Sequence, residues 1–277
     1  MNKVSLVIFL ILKILSKIIQ LFTKKNFLHY LYLHLRNNFV HIYILKKKIF
    51  FFTPNPTLYW RVKTFYTKEP DTLKWIDSFK NNSKTVFWDI GANIGLYSIY
   101  FSIKKKKLNI YSFEPSFLNL FPLSKNISIN NLDNHLKIVQ IPLHNKNKSF
   151  FKFFESSGVE GGALNSFQKK IKIDSNKFSI FGIRADYLIN NKYIKEPNYI
   201  KIDIDGNEHL VLEGFGKYLL SKNLYEILVE IDENAIIQKK RILSILKKSS
   251  FICYKRINNN FNDDITENTF NYFFKKR

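Results

Sequence analysis

An apolar run that ends in an acid and passes directly into a glycine-containing turn has the residue types of a ligand-binding loop. It reads VFWDIGANIG at residues 86–95, with Asp89 before the turn and Gly91 and Gly95 within it. Glycine lacks a Cβ atom, so the backbone can approach a ligand closely and the next helix can pack tightly. Glu114 follows about 20 residues later, where a carboxylate can accept both hydroxyls of a ribose. The pattern predicts a nucleotide-like ligand.

The residues of the turn discriminate among three such ligands. A triphosphate-binding loop would need Gly-Lys-Ser/Thr, which is absent, and a dinucleotide would favour Gly-x-Gly-x-x-Gly. Here the turn is Gly91-Ala-Asn93-Ile-Gly95, and Asp89 directly before it would repel a pyrophosphate. An acid at this place suits a ligand whose near end carries an ammonium and a sulfonium. S-adenosylmethionine is such a ligand, although a purely structural turn would also carry glycines.

A second group of charged residues lies in KIDIDGNE at 201–208. Lys201, Asp203 and Asp205 alternate along a predicted strand near its carboxyl end, where we expect them to share one face. Two carboxylates beside a lysine could provide a catalytic base with a tuned pKa. Asp203 and Asp205 could equally hold a divalent metal ion that lowers the pKa of an acceptor hydroxyl. The structural alternative is a simple ion pair between Lys201 and Asp203.

Strands and helices alternate after residue 84, which predicts an α/β fold with a doubly wound, mostly parallel sheet. The predicted strands are 85–90, 109–113, 136–141, 198–204, 225–231, 250–255 and 269–274. The predicted helices are 71–80, 94–103, 116–130, 207–220 and 235–248. The last strand has too short a connection for a crossover helix and could pair antiparallel. Residues 142–184 are predicted to be irregular, and a connection of that length is typically functional.

The chain divides into three parts by composition. Residues 1–52 are predicted to form an N-terminal helical appendage, residues 53–84 a proline-containing linker and lead-in helix, and residues 85–277 the α/β domain. In the appendage, Lys13 and Lys17 interrupt the apolar sequence and fall on one helical stripe. That pattern favours a helix lying in a membrane interface, with a signal-like segment and a helix docked on the domain as alternatives.

The net charge of +22 raises the question of a nucleic-acid partner. Only six of the 44 basic residues are arginine, the residue preferred for bidentate contacts to phosphates and bases. The abundance of Asn, Ile, Phe and Tyr indicates a low-GC genome, which raises the lysine content without any partner. The single cysteine, Cys253, excludes an intrachain disulfide and fits a reducing compartment. We therefore expect a cytoplasmic protein, peripheral on the membrane through its first helix. The alternatives are an enzyme that acts on nucleic acid, which only the charge favours, and a non-catalytic binding module tethered to the membrane.

Four separated segments, in this order and spacing, resemble the FkbM family of S-adenosylmethionine-dependent methyltransferases. They are VFWDIGANIGLYSIYFS, IYSFEPSFLNLFPLSKNISINN, GGALNSF and NYIKIDIDGNEHLVLEGF. The resemblance implies a Rossmann-like class I methyltransferase fold with a seven-stranded sheet and helices on both faces. It also implies O-methylation of a sugar, a glycan or another hydroxyl-bearing molecule.

The resemblance also implies site residues, carried over only where the positions match. Its cofactor loop falls on Asp89, Gly91, Asn93 and Gly95, and its ribose-binding acid on Glu114. Lys201 and Asp203 match at the strand end, and Asp205 replaces the family's usual Glu. Asn126 and Asn130 match two asparagines of the helix after the acid, where they could tether that helix.

Overall fold

The computed structural model describes residues 3–80, 85–104, 109–155, 158–162, 176–258 and 268–277. The N-terminal part contains α1 (Lys3–Thr23), α2 (Phe27–Arg36), β1 (Phe39–Ile44), β2 (Lys47–Phe52), α3 (Pro56–Lys63), α4 (Phe65–Lys68) and α5 (Pro70–Asp77). The first half of the domain contains β3 (Val86–Ile90), α6 (Leu96–Lys104), β4 (Asn109–Phe113), α7 (Phe117–Ile129), β5 (Leu136–Val139), β6 (Ser149–Glu155) and β7 (Asn176–Gly182). The second half contains α8 (Ala185–Asn190), β8 (Tyr199–Ile202), α9 (Glu208–Phe215), β9 (Glu226–Asp232), α10 (Ile236–Lys248), β10 (Phe251–Asn258) and β11 (Thr269–Lys276).

Seven strands form one sheet in the order β10-β11-β9-β8-β3-β4-β5. β3 pairs in parallel with β4 and β8, β8 with β9, and β4 with β5, whereas β11 runs antiparallel to both of its neighbours. Counted along the chain, the first five sheet strands take the order 3-2-1-4-5 of a doubly wound Rossmann sheet. The predicted fold class, including the antiparallel last strand, is confirmed.

Alternate residues of the central strands pack into two separate cores, one on each face of the sheet. Trp88 and Ile200 pack with α8, α9 and α10, whereas Phe87 and Tyr199 pack with α3 to α7. All five residues of β3 and all four of β8 are buried, as expected for central parallel strands covered on both faces. By this alternation, Asp89 and Lys201 share the face covered by α5 and α6, and the two are direct partners across the strands. A buried acid thus lies beside a buried lysine where the two strands end.

The appendage contains a β-hairpin that the sequence analysis did not predict. Residues 39–52, expected to be helical, form β1 and β2 with full antiparallel pairing. The two residues between them, Leu45 and Lys46, both have positive φ, which is the pattern of a two-residue type I′ turn. The hairpin docks on α7 because the side chains of Asn126 and Asn130 accept from the N–H groups of Phe52 and Phe50. These asparagines therefore tether α7 to the hairpin.

The stretch 142–184, predicted to be irregular, contains an antiparallel pair, β6 and β7. Of its motif GGALNSF, Gly161 and Gly162 are described, whereas residues 163–175 lie outside the described residues. The predicted strand 198–204 ends at Ile202, and Asp205 follows with a left-handed φ of 56°. Asp205 was expected to continue the alternation of the strand. Because the strand ends before it and its backbone is left-handed, it does not.

Candidate active site

The loop of residues 91–95, here called the cofactor loop, joins β3 to α6. Gly91 has φ +86°, and a Cβ there would lie 1.8 Å from the backbone oxygen of Asp203 at the end of β8. Gly95 has φ +85°, and a Cβ there would lie 2.6 Å from a methyl group of Leu123 on α7. Both glycines are thus required by contacts within the protein itself. The sequence analysis had assigned Gly91 to the close approach of a ligand.

Glu114 follows β4 and fixes the shape of the cofactor loop. Its Oε2 accepts from the backbone N–H of Asn93 at 2.8 Å, and its Oε1 accepts from that of Ser116 at 2.9 Å. Burial raises the pKa of Glu114 to about 7. The two N–H donors favour the charged form and lower this pKa, but burial has the larger effect. Each oxygen of an ionised carboxylate has a second lone pair. The binding of a ribose by Glu114 stays a prediction, and the structure supplies the loop contact.

Two buried acceptor atoms beside the cofactor loop have no hydrogen-bond partner among the described residues. They are Oδ1 of Asp89 and Oδ1 of Asn93. The other carboxylate oxygen of Asp89 accepts from Ser98 Oγ at 2.6 Å. Burial raises the pKa of Asp89, and Lys201 across the strands counteracts this. An unsatisfied buried acceptor typically costs about 1–3 kcal/mol. The acceptor of Asn93, which lies in the loop itself, fits a ligand that brings a hydrogen-bond donor to this loop.

The end of β8 carries an ion pair that continues into β9. Lys201 is 1% exposed, and its Nζ donates to Asp203 Oδ2 at 2.5 Å. Burial opposes the charge of Lys201, but the carboxylates of Asp203, Glu69 and Asp89 raise its pKa above the ordinary value. Burial would raise the pKa of Asp203, yet the charge and hydrogen bond of Lys201 lower it to about 2. At neutral pH this pair is therefore fully ionised.

Glu230 on β9 is a site residue that the sequence analysis missed. Burial, followed by the charges of Asp203 and Asp205, raises its pKa well above the ordinary value. It shares a side-chain hydrogen bond with Asp203, and the opposite pKa shifts of the two acids favour the proton on Glu230 and the charge on Asp203. Carboxylate oxygens of Asp203, Asp205 and Glu230 all lie within 4.8 Å of one another. The structure thus brings Asp203 and Asp205 together, as predicted, and adds a third acid from the neighbouring strand.

A cavity opens between the cofactor loop and the helices that precede β3. With its open mouth included, it encloses about 470 Å³ of empty space. Its walls combine charged residues of α3 to α5, the cofactor loop with the start of α6, and the end of β8. The lining residues are Arg61, Phe65, Lys68, Glu69, Gly91, Ala92, Asn93, Ile94, Leu96, Tyr97, Lys201 and Asp203. Asp89 and Glu114 lie beneath the loop, outside this lining.

Residues 158–162 lie against the cofactor loop. The carbonyl of Gly162 accepts from Asn93 Nδ2 at 3.0 Å, and the carbonyl of Gly161 accepts from Arg61 Nε at 2.5 Å. Glu160 forms an ion pair with Arg36 at the end of α2, at 3.4 Å. The segment therefore connects the cavity wall to the N-terminal appendage.

The profile of the methyltransferase FkbM domain matches residues 89–253, more than half of the chain. The chain belongs to the FkbM methyltransferase family. This FkbM chain is 27% identical over 166 residues to a hexuronic acid methyltransferase, AglP, from Haloferax volcanii. That match covers 59% of the chain and 62% of the relative, which is less than two thirds of the relative's length. A methyltransferase from Sordaria araneosa, sdnD, is 26% identical over 176 residues, covering 54% of the chain and 68% of the relative.

Solved structures similar to this chain include methyltransferases. A methyltransferase FkbM from Methylobacillus flagellatus superposes with a TM-score of 0.48 at 14% identity, over 87% of this FkbM chain and 57% of that one. A precorrin-6y C5,15-methyltransferase from Geobacter metallireducens superposes with a TM-score of 0.46 at 12% identity, over 76% and 87% of the two chains. The fold assignment itself rests on the strand order of the sheet described above.

Proposed function

We propose that this chain is an S-adenosylmethionine-dependent methyltransferase that methylates a hydroxyl group of a sugar or glycan. The observation that carries the proposal is the cavity in which the cofactor loop meets the ionised end of β8. Membership of the FkbM family supports the reaction class, and the hexuronic acid methyltransferase among its relatives supports a sugar acceptor. The unsatisfied acceptor of Asn93, which lines the cavity, supports a donor-bearing ligand.

In this proposal, the cofactor is held by Asp89, Gly91, Asn93, Gly95 and Glu114. When bound, S-adenosylmethionine supplies an electrophilic methyl group on a sulfonium. The protein must align the acceptor hydroxyl with that methyl group and take up the hydroxyl proton. Glu114 keeps the loop in shape through Asn93, and the glycines allow the loop to cross the end of β8.

We assign the proton uptake to Asp203, supported by Glu230 and Lys201. A carboxylate with a pKa of about 2 is a weak base toward an alcohol, because an efficient general base has a pKa near the working pH. The acceptor oxygen becomes strongly acidic only as it is alkylated, and an ionised Asp203 is then basic enough. The hydrogen bond shared with Glu230 favours the charge of the pair on Asp203, the carboxylate that lines the cavity. Lys201 keeps Asp203 ionised until it takes up the acceptor proton.

A divalent metal ion is the alternative use of the same acids. Three carboxylates are the hard oxygen ligands that Mg²⁺ and Ca²⁺ take. The ammonium of Lys201 already neutralises Asp203 at 2.5 Å, which favours the version without metal. If chelation abolishes activity and Mg²⁺ restores it, Asp203, Asp205 and Glu230 are metal ligands rather than the proton acceptor.

We also propose that α1 attaches the protein to a membrane surface. The helix has 21 residues, of which only Ser16 is buried. By length and composition it could also cross a bilayer. Exposed apolar side chains cover most of its surface, and Lys13 and Lys17 interrupt them. An apolar helix with exposed lysines suits the boundary between headgroups and acyl chains.

Transfer of a labelled methyl group tests the proposal directly. Purified full-length protein is incubated with labelled S-adenosylmethionine and, separately, with hexuronic acid glycans, neutral glycans and RNA. The proposal expects label on a glycan, in an ether bond that survives mild alkali, which would hydrolyse a methyl ester. Label on RNA alone, or no label on any glycan extract while the cofactor is bound, would contradict it.

A further inference from the structure

The helices before β3 place charges of both signs on one wall of the cavity. Arg61 lies in the last turn of α3, Lys68 ends α4, and Glu69 follows directly. The sequence analysis treated residues 53–84 as a linker and lead-in helix and assigned no site residue there. All three side chains line the cavity opposite the cofactor loop. The wall therefore contains two cations and one anion.

A hydrogen bond from its Nε atom orients the side chain of Arg61. Its Nε donates to the carbonyl of Gly161 at 2.5 Å, which fixes the plane of the guanidinium. Neither of its Nη groups forms a hydrogen bond to any of the described residues. A guanidinium with two free Nη groups can bind a carboxylate in a planar, bidentate manner. Lys68, 30% exposed, supplies a second cation 4.0 Å from Glu69 Oε1.

Glu69 is a buried carboxylate that the protein fixes from two sides. It is 5% exposed, and its Oε2 accepts from Thr72 Oγ1 at 2.9 Å and from Asn271 Nδ2 at 3.2 Å. Its charge acts on Tyr97 and on Lys201, which face the same cavity. These contacts fix the carboxylate of Glu69 at the cavity wall.

The alternation of charges selects among ligands. A carboxylate-bearing sugar would meet Arg61 and Lys68 favourably but would be repelled by Glu69. A neutral sugar would leave Arg61 without an anionic partner and would not use the charges of Lys68 and Glu69. An amino acid carries an ammonium and a carboxylate on the same carbon atom, so both signs of the wall are matched within one small group. The wall is complementary to a zwitterion.

We propose that Arg61 and Lys68 bind the α-carboxylate of the methionyl end of the cofactor and that Glu69 binds its α-ammonium. The inference rests on the proposed use of S-adenosylmethionine and adds the residues that recognise its amino-acid end. Asp89, paired with that end on sequence grounds, lies beneath the loop and does not line the cavity. It therefore holds the cofactor through the loop, and the wall residues make the direct contacts.

Two nucleosides that differ in the amino-acid end test the inference by calorimetry. S-adenosylhomocysteine carries the zwitterion, and 5′-methylthioadenosine lacks it. Arg61→Gln and Lys68→Gln should each weaken the binding of S-adenosylhomocysteine roughly 10- to 150-fold, because each removes a charge-assisted hydrogen bond. Their affinity for 5′-methylthioadenosine should stay within about twofold of wild type, which also reports correct folding. Lys63 is an exposed residue of α3, the helix that carries Arg61. Lys63→Gln is the matched control and should change the affinity for neither nucleoside.

The outcomes separate this inference from the proposed function. If the wild type binds neither nucleoside, the proposed function is wrong and the inference fails with it. If the wild type binds S-adenosylhomocysteine and the variants bind it equally well, only the inference is overturned. Equal loss of both nucleosides in the variants would overturn it as well. If the variants keep S-adenosylhomocysteine affinity but lose turnover of a uronic acid acceptor, the cations belong to the acceptor and the inference is again overturned.

Discussion

Lys201→Met should destabilise the protein more than the loss of any surface lysine. The side chain of Lys201 is 1% exposed, and its Nζ lies 2.5 Å from Asp203 Oδ2. Asp89, its direct partner on β3, lies on the same face of the sheet. Methionine keeps the length of the side chain and removes its charge. The substitution leaves the buried carboxylate of Asp89 and the partly buried carboxylate of Asp203 without their counter-ion.

The magnitude follows from the carboxylate that Lys201 stabilises. Lys201 is the main reason that the pKa of Asp203 falls from 3.8 to about 2 despite burial. At about 1.4 kcal/mol per pKa unit, this shift corresponds to about 2 kcal/mol of stability. The loss of the counter-charge for Asp89 adds to it, giving the roughly 3–5 kcal/mol typical of a broken buried pair. Because the folded pKa is depressed, this stability is present above pH 3.8 and is lost as the pH falls toward 2.

Urea denaturation at neutral pH measures the free energy of unfolding. We expect Lys201→Met to lose about 3–5 kcal/mol, and the double variant Lys201→Met/Asp203→Asn to recover part of the loss, because it removes the unpaired charge. Lys222→Met, at an exposed position, is the control and should stay within about 0.5 kcal/mol of wild type. A loss below about 1 kcal/mol, or a double variant no more stable than the single one, would refute the buried ion pair.

Three further perturbations test other parts of the site. Gly91→Ala should prevent folding or cofactor binding because its Cβ would lie 1.8 Å from the Asp203 carbonyl oxygen. Gly158→Ala, also at positive φ but in open space, should cost only the roughly 1–2 kcal/mol of a left-handed residue and leave folding and cofactor binding in place. Glu114→Ala, which removes the acceptor of the Asn93 N–H, should weaken S-adenosylhomocysteine by about 1.5–3 kcal/mol in calorimetry; unchanged affinity would contradict its role. Full-length protein should sediment with anionic vesicles and be released partly by salt, while deletion of residues 1–25 should abolish sedimentation; full-length protein that stays in solution at low salt would contradict the membrane proposal.

The parts of the site that lie close together in sequence could be predicted from the sequence. The cofactor loop, Glu114 and the acids after β8 each follow a buried strand, and parallel strands end at one edge of the sheet. The sheet itself was predictable because segments with the pattern of a strand alternate along the sequence with segments that have the pattern of a helix. Its connectivity then placed Asp89 and Lys201 side by side.

The rest depended on tertiary contacts that leave no local signal. Glu230 sits within an ordinary buried strand, and only its pairing beside β8 brings it to Asp203. Arg61 and Glu69 reach the cavity because α3 to α5 fold over the cofactor loop, which nothing in their spacing indicates. The hairpin of residues 39–52 turns at Leu45 and Lys46, which lack the Asn-Gly or Asp-Gly signal of such turns.

Asp203→Asn decides whether the end of β8 is the reacting end of a methyltransferase site. Turnover of a glycan acceptor and affinity for S-adenosylhomocysteine are measured on the same preparation. If Asp203 takes up the acceptor proton, turnover should fall by about 10²- to 10⁴-fold, and the affinity for S-adenosylhomocysteine should stay close to that of the wild type. Asp205→Asn, outside the Lys201 ion pair, should have the smaller effect. Normal turnover in both variants would contradict the account and place the proton acceptor elsewhere.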